Sequence, residues 1–234
     1  MLKQFMRLLP GFFCSALICI VLIAGQTVAH AAPVNKRIIV IDAGHGDWDP
    51  GKVSRGVEEK GINLQVAEKL QWLLELSGAV VLTTRSADTS LADQKRADLS
   101  ARARMANAAN ADIFVSIHQN SFNCDSVSGG QVFYHASSEE SKNLADLIQG
   151  RLNSFIGDHK GKPRTRPAKA SESYYVLKQT NMPAVIVECG FMSNYKDLQL
   201  LQDEDFQERI VWAVYMGIAE YFAQKSDDKE SVKE

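Results

Sequence analysis

Two histidines and two carboxylates of this sequence have the side-chain types needed for metal-dependent hydrolysis. His45 stands between two glycines, and His118 ends a short apolar run. The acidic pair Glu58 and Glu59 precedes a helical pattern, and Glu188 ends a second apolar run. A catalytic zinc ion commonly takes three ligands from His, Glu or Asp and keeps a fourth position open for water. We therefore expect one Zn²⁺ ion here, which would lower the pKa of its water and polarise a substrate carbonyl.

Proton transfer in such a site requires a carboxylate beside the metal ligands. Glu188 is the best placed candidate, because a carboxylate can take a proton from the attacking water and pass it to the leaving amine. It follows the apolar run 184–187, and a carboxylate at a buried strand end requires a partner. Taken singly, the other residues also fit ordinary roles: a turn for Gly-His-Gly, and a solvated charged pair for Glu58 and Glu59.

Several neighbouring residues could hold the histidines in place. Asp42, Asp49 and Asn120 are close in sequence to a histidine and could each accept a hydrogen bond from an imidazole, which would fix its tautomer. Gly44 and Gly46 let the backbone turn tightly off the end of a strand.

Short β-rich runs alternate with helical patterns along the chain. Strands are expected at 37–42, 79–84, 112–118, 131–134 and 184–188, and helices near 62–74, 94–109, 144–155 and 206–222. This alternation predicts a single α/β domain with a largely parallel twisted sheet, flanked by helices on both faces. Sites in such sheets form beyond the carboxyl ends of the strands. His45, His118 and Glu188 all fall there, so the fold should bring them together.

The two ends of the chain differ from its centre. Residues 1–31 combine Lys3 and Arg7 with an apolar run and an Ala-His-Ala site, which is typical of a secretory signal peptide. The alternative is an uncleaved N-terminal membrane anchor. Both alternatives place the folded part outside the cytoplasm, secreted or anchored. Residues 225–234 are dense in charge and are expected to form a disordered tail.

Charge and cysteine content exclude two classes of protein. Without residues 1–31 the chain has 24 basic and 28 acidic residues, a net charge of −4, and it has no basic stripe. This balance gives no electrostatic case for nucleic acid as a partner. Only Cys124 and Cys189 follow the leader, which excludes a small disulfide scaffold. A single disulfide between these two cysteines remains an alternative, but two buried free thiols are the simpler expectation.

Six segments form an ordered set of motifs. They are IVIDAGHG at 39–46, GVEEKGINL at 56–64, LTTR at 82–85, LSAR at 99–102, ADIFVSIHQN at 111–120 and AVIVECGFMSN at 184–194. This set resembles the zinc-dependent N-acetylmuramoyl-L-alanine amidases, bacterial enzymes that remove stem peptides from peptidoglycan. The resemblance implies a catalytic domain at 37–223. It also implies hydrolysis of the amide bond between N-acetylmuramic acid and L-alanine.

The resemblance further assigns a role to each residue of the site. It makes His45, Glu59 and His118 the zinc ligands, and Glu188 the catalytic carboxylate. Glu59 is preferred to its acidic neighbour because it directly precedes Lys60, as in the family's motif.

Two departures from the family's pattern lie beside the first histidine. Ala43 stands where the family usually has proline, and Asp47 stands where it has a second glycine. Asp47 could tune the metal site or contact substrate. With Asp42, Asn120 and Arg85, it is expected to support the ligands or bind substrate.

Two further segments resemble the germination-specific amidases of spore-forming bacteria. They are SGGQVFY at 128–134 and YYVLKQTN at 174–181. This resemblance implies action on spore cortex, in the space between the forespore membranes, ahead of muramic-δ-lactam formation and germination. Some relatives need a regulatory protein partner, so a partner is also expected. Two rival functions stay open: another zinc amidohydrolase or peptidase acting on the stem peptide, and a partner-regulated, non-catalytic wall-binding protein.

Overall fold

The apolar runs of the sequence form a central six-stranded sheet. The computed structural model describes residues 32–156 and 166–231. The strands of this sheet and of a separate two-stranded hairpin are β1 (Ile38–Ala43), β2 (Val53–Ser54), β3 (Val57–Glu58), β4 (Val80–Thr83), β5 (Ile113–Asn120), β6 (Gln131–His135), β7 (Lys169–Ser171) and β8 (Ala184–Phe191). The order across the large sheet is β4-β1-β5-β8-β6-β7, and β2 pairs only with β3.

Most neighbouring strands of the large sheet run parallel. β1 pairs in parallel with β4 and β5, and β5 pairs in parallel with β8. Among the strand pairs of this sheet, only β6–β8 is antiparallel, and β7 runs parallel to β6. The predicted largely parallel sheet is therefore confirmed. Because β1, β5 and β8 are adjacent and point the same way, their carboxyl ends meet at one edge of the sheet.

Helices cover both faces of the sheet. They are α1 (Glu59–Leu76), α2 (Lys95–Ala108), α3 (Glu139–Phe155), α4 (Tyr175–Gln179), α5 (Tyr195–Leu201) and α6 (Glu204–Ser231). The continuous apolar run of β1 follows from this arrangement, because side chains alternate between the two faces of a strand. Ile39 and Ile41 pack in the larger core with α1, α3 and α6, whereas Val40 packs in the smaller core with α2 and α4. The predicted α/β class is confirmed.

The structure adds elements that the sequence patterns did not indicate. The hairpin β2–β3, the edge strand β7 and the short helices α4 and α5 are all too brief to show a clear period. β5 and β8 also extend beyond His118 and Glu188, which were expected to end them. Their pairing continues past an irregularity to Asn120 and Phe191, so the two site residues lie inside the sheet edge.

The C-terminal residues and one of the two cysteines after the leader differ from expectation. α6 continues to Ser231, so residues 225–231 are helical rather than a disordered tail, and Lys225 pairs with Glu140 at 2.7 Å. Both cysteines are free, but the prediction of two buried thiols was wrong for Cys124, which is exposed. The predicted leader, 1–31, lies outside the described residues. Within the described residues, no helix has the length and apolar character needed to cross a membrane.

Candidate metal centre and active site

The loop after β1 has a backbone shape that few sequences allow. His45 has a φ of 64°, Gly46 a φ of 134° and Asp47 a φ of 52°, so three consecutive residues have positive φ. This conformation disfavours most L-residues, and glycine adopts it without steric cost. A Cβ atom on Gly44 would lie only 2.2 Å from the imidazole of His118. Gly44 is therefore required because it lets the two imidazoles approach each other, and Gly46 because a Cβ there would lie 2.2 Å from the Thr89 carbonyl oxygen.

Three of the predicted site residues meet at the carboxyl edge of the sheet. Oε1 of Glu59 lies 3.2 Å from Nε2 of His45 and 3.0 Å from Nδ1 of His118. One ligand atom from each residue falls within 4.8 Å of the others. The neighbouring Glu58 is half exposed and points towards Lys60 at 3.5 Å. The structure thus places Glu59, and not Glu58, between the histidines.

Hydrogen bonds around this cluster favour a cation at its centre. Nδ1 of His45 lies 2.8 Å from Oδ2 of Asp49, which leaves Nε2 directed at the cluster. Burial alone would lower the pKa of His45, but the hydrogen bonds and charges of Glu59 and Asp49 outweigh it and raise the pKa. The contacts that favour a proton here would equally favour a metal ion. Two imidazole nitrogens and one carboxylate are also a donor set that suits Zn²⁺.

Glu59 is fixed as an anion by the backbone and side chains around it. Its Oε2 accepts a hydrogen bond from the Lys52 N–H at 2.8 Å, and its Oε1 accepts one from the Gln119 N–H at 3.0 Å. Burial opposes ionisation, but the hydrogen bonds from His118 and His45 hold the pKa of Glu59 far below its usual range. Its carboxylate is therefore available as a ligand at any physiological pH.

Glu188 has the opposite electrostatic environment. It pairs with His118 across β5 and β8 and is only 7% exposed. Its Oε2 is buried and has no hydrogen-bond partner among the described residues. Burial, followed by the nearby charge of Glu59, raises the pKa of Glu188 to about 8. Two carboxylates in one site thus differ widely in proton affinity, which is the pattern expected when one binds metal and the other transfers protons.

A cavity of about 370 Å³ opens beside these residues. Its walls come from the cluster, from the start of α2, from the end of β5 and from the residues that begin α4. The lining residues include His45, Glu59, His118, Glu188, Lys95, Leu99, Asn120, Ser121, Tyr174 and Tyr175. The cavity therefore gives a substrate direct access to the candidate metal centre and to Glu188.

The residues expected to support the ligands have more varied positions. Asp42 is buried and accepts hydrogen bonds from Thr84, Ser116 and Arg102 rather than from a histidine. Asn120 lines the cavity, and its side-chain oxygen accepts a bond from the next N–H in the chain. Both were predicted near the ligands, but neither orients an imidazole. Their contacts instead stabilise the end of the sheet.

Asp47 and Arg85 act on the loop backbone. Asp47 is exposed, its N–H bonds to Asp88, and its carboxylate accepts a hydrogen bond from Ser90. It therefore points away from the cluster. Arg85 donates to four backbone carbonyls, two of which, those of Ala43 and Gly44, lead into the histidine loop. The remaining two acceptors are the carbonyls of Ala87 and Lys60.

Sequence reasoning missed two residues that the structure places at the site. Lys95, at the start of α2, donates a short hydrogen bond to the Asp49 carboxylate that holds His45. Tyr174 lines the cavity from the residue before α4. Tyr174 begins the segment 174–181 that resembles the germination-specific amidases, but that resemblance assigned it no role, and an exposed lysine at a helix start is common. Only the three-dimensional arrangement identifies them.

Comparison with known proteins gives a consistent assignment. A family model described as N-acetylmuramoyl-L-alanine amidase matches residues 39–220. The germination-specific N-acetylmuramoyl-L-alanine amidase of Bacillus subtilis (strain 168) is 32% identical over 206 residues, which cover 85% of each chain.

Solved structures agree with this match. The CwlD amidase from Clostridioides difficile, solved in complex with the GerS lipoprotein, is 38% identical with a TM-score of 0.75, over 80% of this chain and 99% of that chain. The catalytic domain of CwlV, an N-acetylmuramoyl-L-alanine amidase from Bacillus (Paenibacillus) polymyxa var. colistinus, is 34% identical with a TM-score of 0.70, over 80% and 98%. These matches favour an amidase over a stem-peptide peptidase or a non-catalytic wall-binding protein. The chain belongs to the N-acetylmuramoyl-L-alanine amidase family and is a peptidoglycan amidase of that type.

Proposed function

We propose that this amidase uses one zinc ion held by His45, Glu59 and His118, with Glu188 as the proton carrier. The convergence of the three ligand atoms within 4.8 Å of one another carries this proposal. When bound, zinc would supply a Lewis acid that polarises the amide carbonyl and lowers the pKa of a water molecule. Asp49 orients the first histidine through its Nδ1 atom, and the buried anionic Glu59 balances part of the added charge.

Glu188 performs the proton transfers in this mechanism. Its unpartnered Oε2 takes a proton from the attacking water as the water oxygen bonds to the amide carbon. The same oxygen then delivers that proton to the nitrogen of L-alanine as the carbon–nitrogen bond breaks. Burial raises the pKa of Glu188, which favours uptake of the proton, and the positive charge of a bound zinc ion would oppose that rise and favour its release.

Two variants test these roles. Glu188→Gln should keep zinc while losing nearly all turnover, whereas His118→Ala should lose the metal. Zinc is measured by elemental analysis, and products are identified by mass spectrometry of digested peptidoglycan. Stem peptides with a free L-alanine amine identify the amidase reaction. An active Glu188→Gln variant would refute the assignment of the proton carrier.

The biological setting proposed for the enzyme is the spore cortex. The enzyme would cut stem peptides from muramic acid ahead of muramic-δ-lactam formation and germination, between the forespore membranes. Similarity to the germination-specific amidase of Bacillus subtilis and to CwlD from Clostridioides difficile supports this setting. Residues 37–223 would be the catalytic domain, with 1–31 as a signal peptide or anchor. Because CwlD was solved with the GerS lipoprotein, a regulatory protein partner is also proposed for this chain.

Muropeptide analysis of spore cortex tests the setting. Spores that lack the protein should contain no muramic-δ-lactam and should retain their stem peptides. Normal cortex in such spores, together with an altered vegetative wall, would contradict the cortex assignment and leave the chemistry unaffected.

A further inference from the structure

One tyrosine, Tyr174, lines the same cavity as the three candidate ligands and Glu188. Its ring packs edge-on against Phe133, with 5.2 Å between the ring centroids. Phe133 lies on β6 and pairs with Ile186 of β8, two residues before Glu188. The position of the tyrosine ring is thus fixed relative to the strand that carries the proton carrier.

The hydroxyl of Tyr174 lacks a hydrogen-bond acceptor. It makes no hydrogen bond with any residue in the described ranges, 32–156 and 166–231, although the side chain is only partly exposed. In contrast, the hydroxyl of Tyr221 donates to Glu140 at 2.8 Å. Because the Tyr174 side chain is partly exposed, its hydroxyl can bond to water in the free protein and can exchange that bond for one to a substrate oxygen.

The charge around Tyr174 keeps its proton in place. Burial raises the pKa of the Tyr174 hydroxyl, and the nearby carboxylates of Glu188 and Glu59 raise it further, to about 12. The group is therefore a neutral O–H donor throughout the physiological pH range. Amide hydrolysis places negative charge on the former carbonyl oxygen, and a fixed donor at that point lowers the barrier.

We propose that Tyr174 is a further catalytic residue, whose hydroxyl donates a hydrogen bond to the carbonyl oxygen of the scissile amide as that oxygen becomes negative. The proposal rests on the function proposed above. As the water oxygen bonds to the amide carbon, the carbonyl π electrons move to the oxygen that Tyr174 contacts. They return as the carbon–nitrogen bond breaks and the nitrogen takes its proton from Glu188. The tyrosine keeps its own proton throughout.

The conservative variant Tyr174→Phe tests this role, and Tyr195→Phe is the control. Tyr195 is not among the residues that line this cavity, and its exposed side chain accepts a hydrogen bond from Gln199 at 3.1 Å. Loss of one donor to a developing oxyanion typically lowers kcat by about 10²–10³-fold. We expect that loss for Tyr174→Phe with KM, zinc content and thermal midpoint unchanged, and near wild-type kcat for Tyr195→Phe. The shape of the pH–rate profile should also be unchanged, because Tyr174 transfers no proton.

Three outcomes would overturn the proposal. A raised KM with unchanged kcat would show that Tyr174 binds the substrate ground state and its transition state equally. Loss of the alkaline limb of the pH profile would show that it acts as a general acid instead. An equal loss in Tyr195→Phe would show that the effect does not depend on the position of the hydroxyl in the cavity. Failure of the proposed function is distinguishable, because it would appear as activity in Glu188→Gln with Tyr174 intact.

Discussion

Arg102 connects helix α2 to the histidine loop, and its replacement tests how the site is held in place. Its side chain is only 2% exposed. Its guanidinium donates to Asp42 at 2.8 Å and to Asp98 at 2.6 Å. It also donates to the backbone carbonyls of Ala43 at 2.8 Å and His45 at 2.7 Å. Arg102→Met would keep much of the volume while removing the charge and all four hydrogen bonds.

The expected cost follows from burial. Removing one partner of a buried ion pair typically lowers the free energy of unfolding by about 3–5 kcal/mol, because the other charge stays buried and unpaired. Here Asp42, at 1% exposure, would lose the only cation that contacts it among the described residues. A domain is typically stable by about 5–15 kcal/mol, so the variant should still fold. We expect the loss to fall in the 3–5 kcal/mol range.

The pH dependence provides a second, independent signal. Although burial opposes it, the charge of Arg102 lowers the pKa of Asp42 in the folded protein, so Asp42 stabilises the fold at neutral pH. Without Arg102, burial dominates and raises that pKa, so the carboxylate destabilises the fold until it is protonated. The difference between wild type and variant should therefore shrink as the pH falls from 7 to 4.

Urea unfolding of the metal-free protein at both pH values measures these differences. Arg104→Met is the control, because Arg104 lies two residues further along the same helix, is exposed, and among the described residues its side chain bonds only to Ser100. An exposed pair contributes about 0–1 kcal/mol, so the control should stay close to wild type. Equal losses in the two variants, or a loss for Arg102→Met that is independent of pH, would refute the reasoning.

Three further predictions concern the site. Asp49→Asn removes the carboxylate that orients His45 and should weaken zinc binding by about 10–100-fold in a chelator competition. Gly44→Ala places a Cβ 2.2 Å from the ring of His118 and should abolish stoichiometric zinc binding. In metal-free protein, the raised pKa of Glu188 means that the folded state binds a proton that the unfolded state lacks between about pH 4.5 and 8. Stability should fall across that window by up to ~1.4 kcal/mol per pH unit, and Glu188→Gln should remove this slope.

Matched variants provide the controls. Asp47→Asn should keep zinc affinity, because Asp47 faces Ser90 and not the histidines. Gly150→Ala should keep zinc binding and stabilise helix α3, because a Cβ there meets no atom within 4 Å. Undiminished zinc affinity in Asp49→Asn or Gly44→Ala would contradict the role assigned to that residue. An unchanged pH dependence of stability in Glu188→Gln would contradict the raised pKa of Glu188.

The sequence predicted secondary structure best for strands that are buried on both faces of the sheet. The run 38–41 predicted β1 because strands covered on both faces are continuously apolar, and the parallel sheet follows from the alternation of such runs with helices. The edge strand β7 and the five-residue helix α4 have too few residues for a period. The choice of Glu59 over Glu58 came from the family resemblance. In the structure the choice reflects burial, because only Glu59 enters the site.

The contacts around the histidines were harder to predict for a different reason. Asp42 and Asp49 are both acidic and both close to His45 in sequence, so sequence distance does not separate them. Strand alternation brings Asp42 beside Ser116, whereas the tight turn after β1 brings Asp49 back to the imidazole. The direction of a loop depends on tertiary contacts such as those of Arg85, which no local pattern encodes.

The position of β8 makes the complete site depend on residues that come late in the chain. β8 lies between β5 and β6, although both are made earlier, and it carries Glu188. A growing chain that has reached residue 183 already contains His45, Glu59 and His118, but two of its strands still lack their shared neighbour. Such long-range pairing forms late in folding. A chain that ends before residue 184 would therefore lack both the proposed proton carrier and the strand that joins β5 to β6, so it should have no hydrolytic activity.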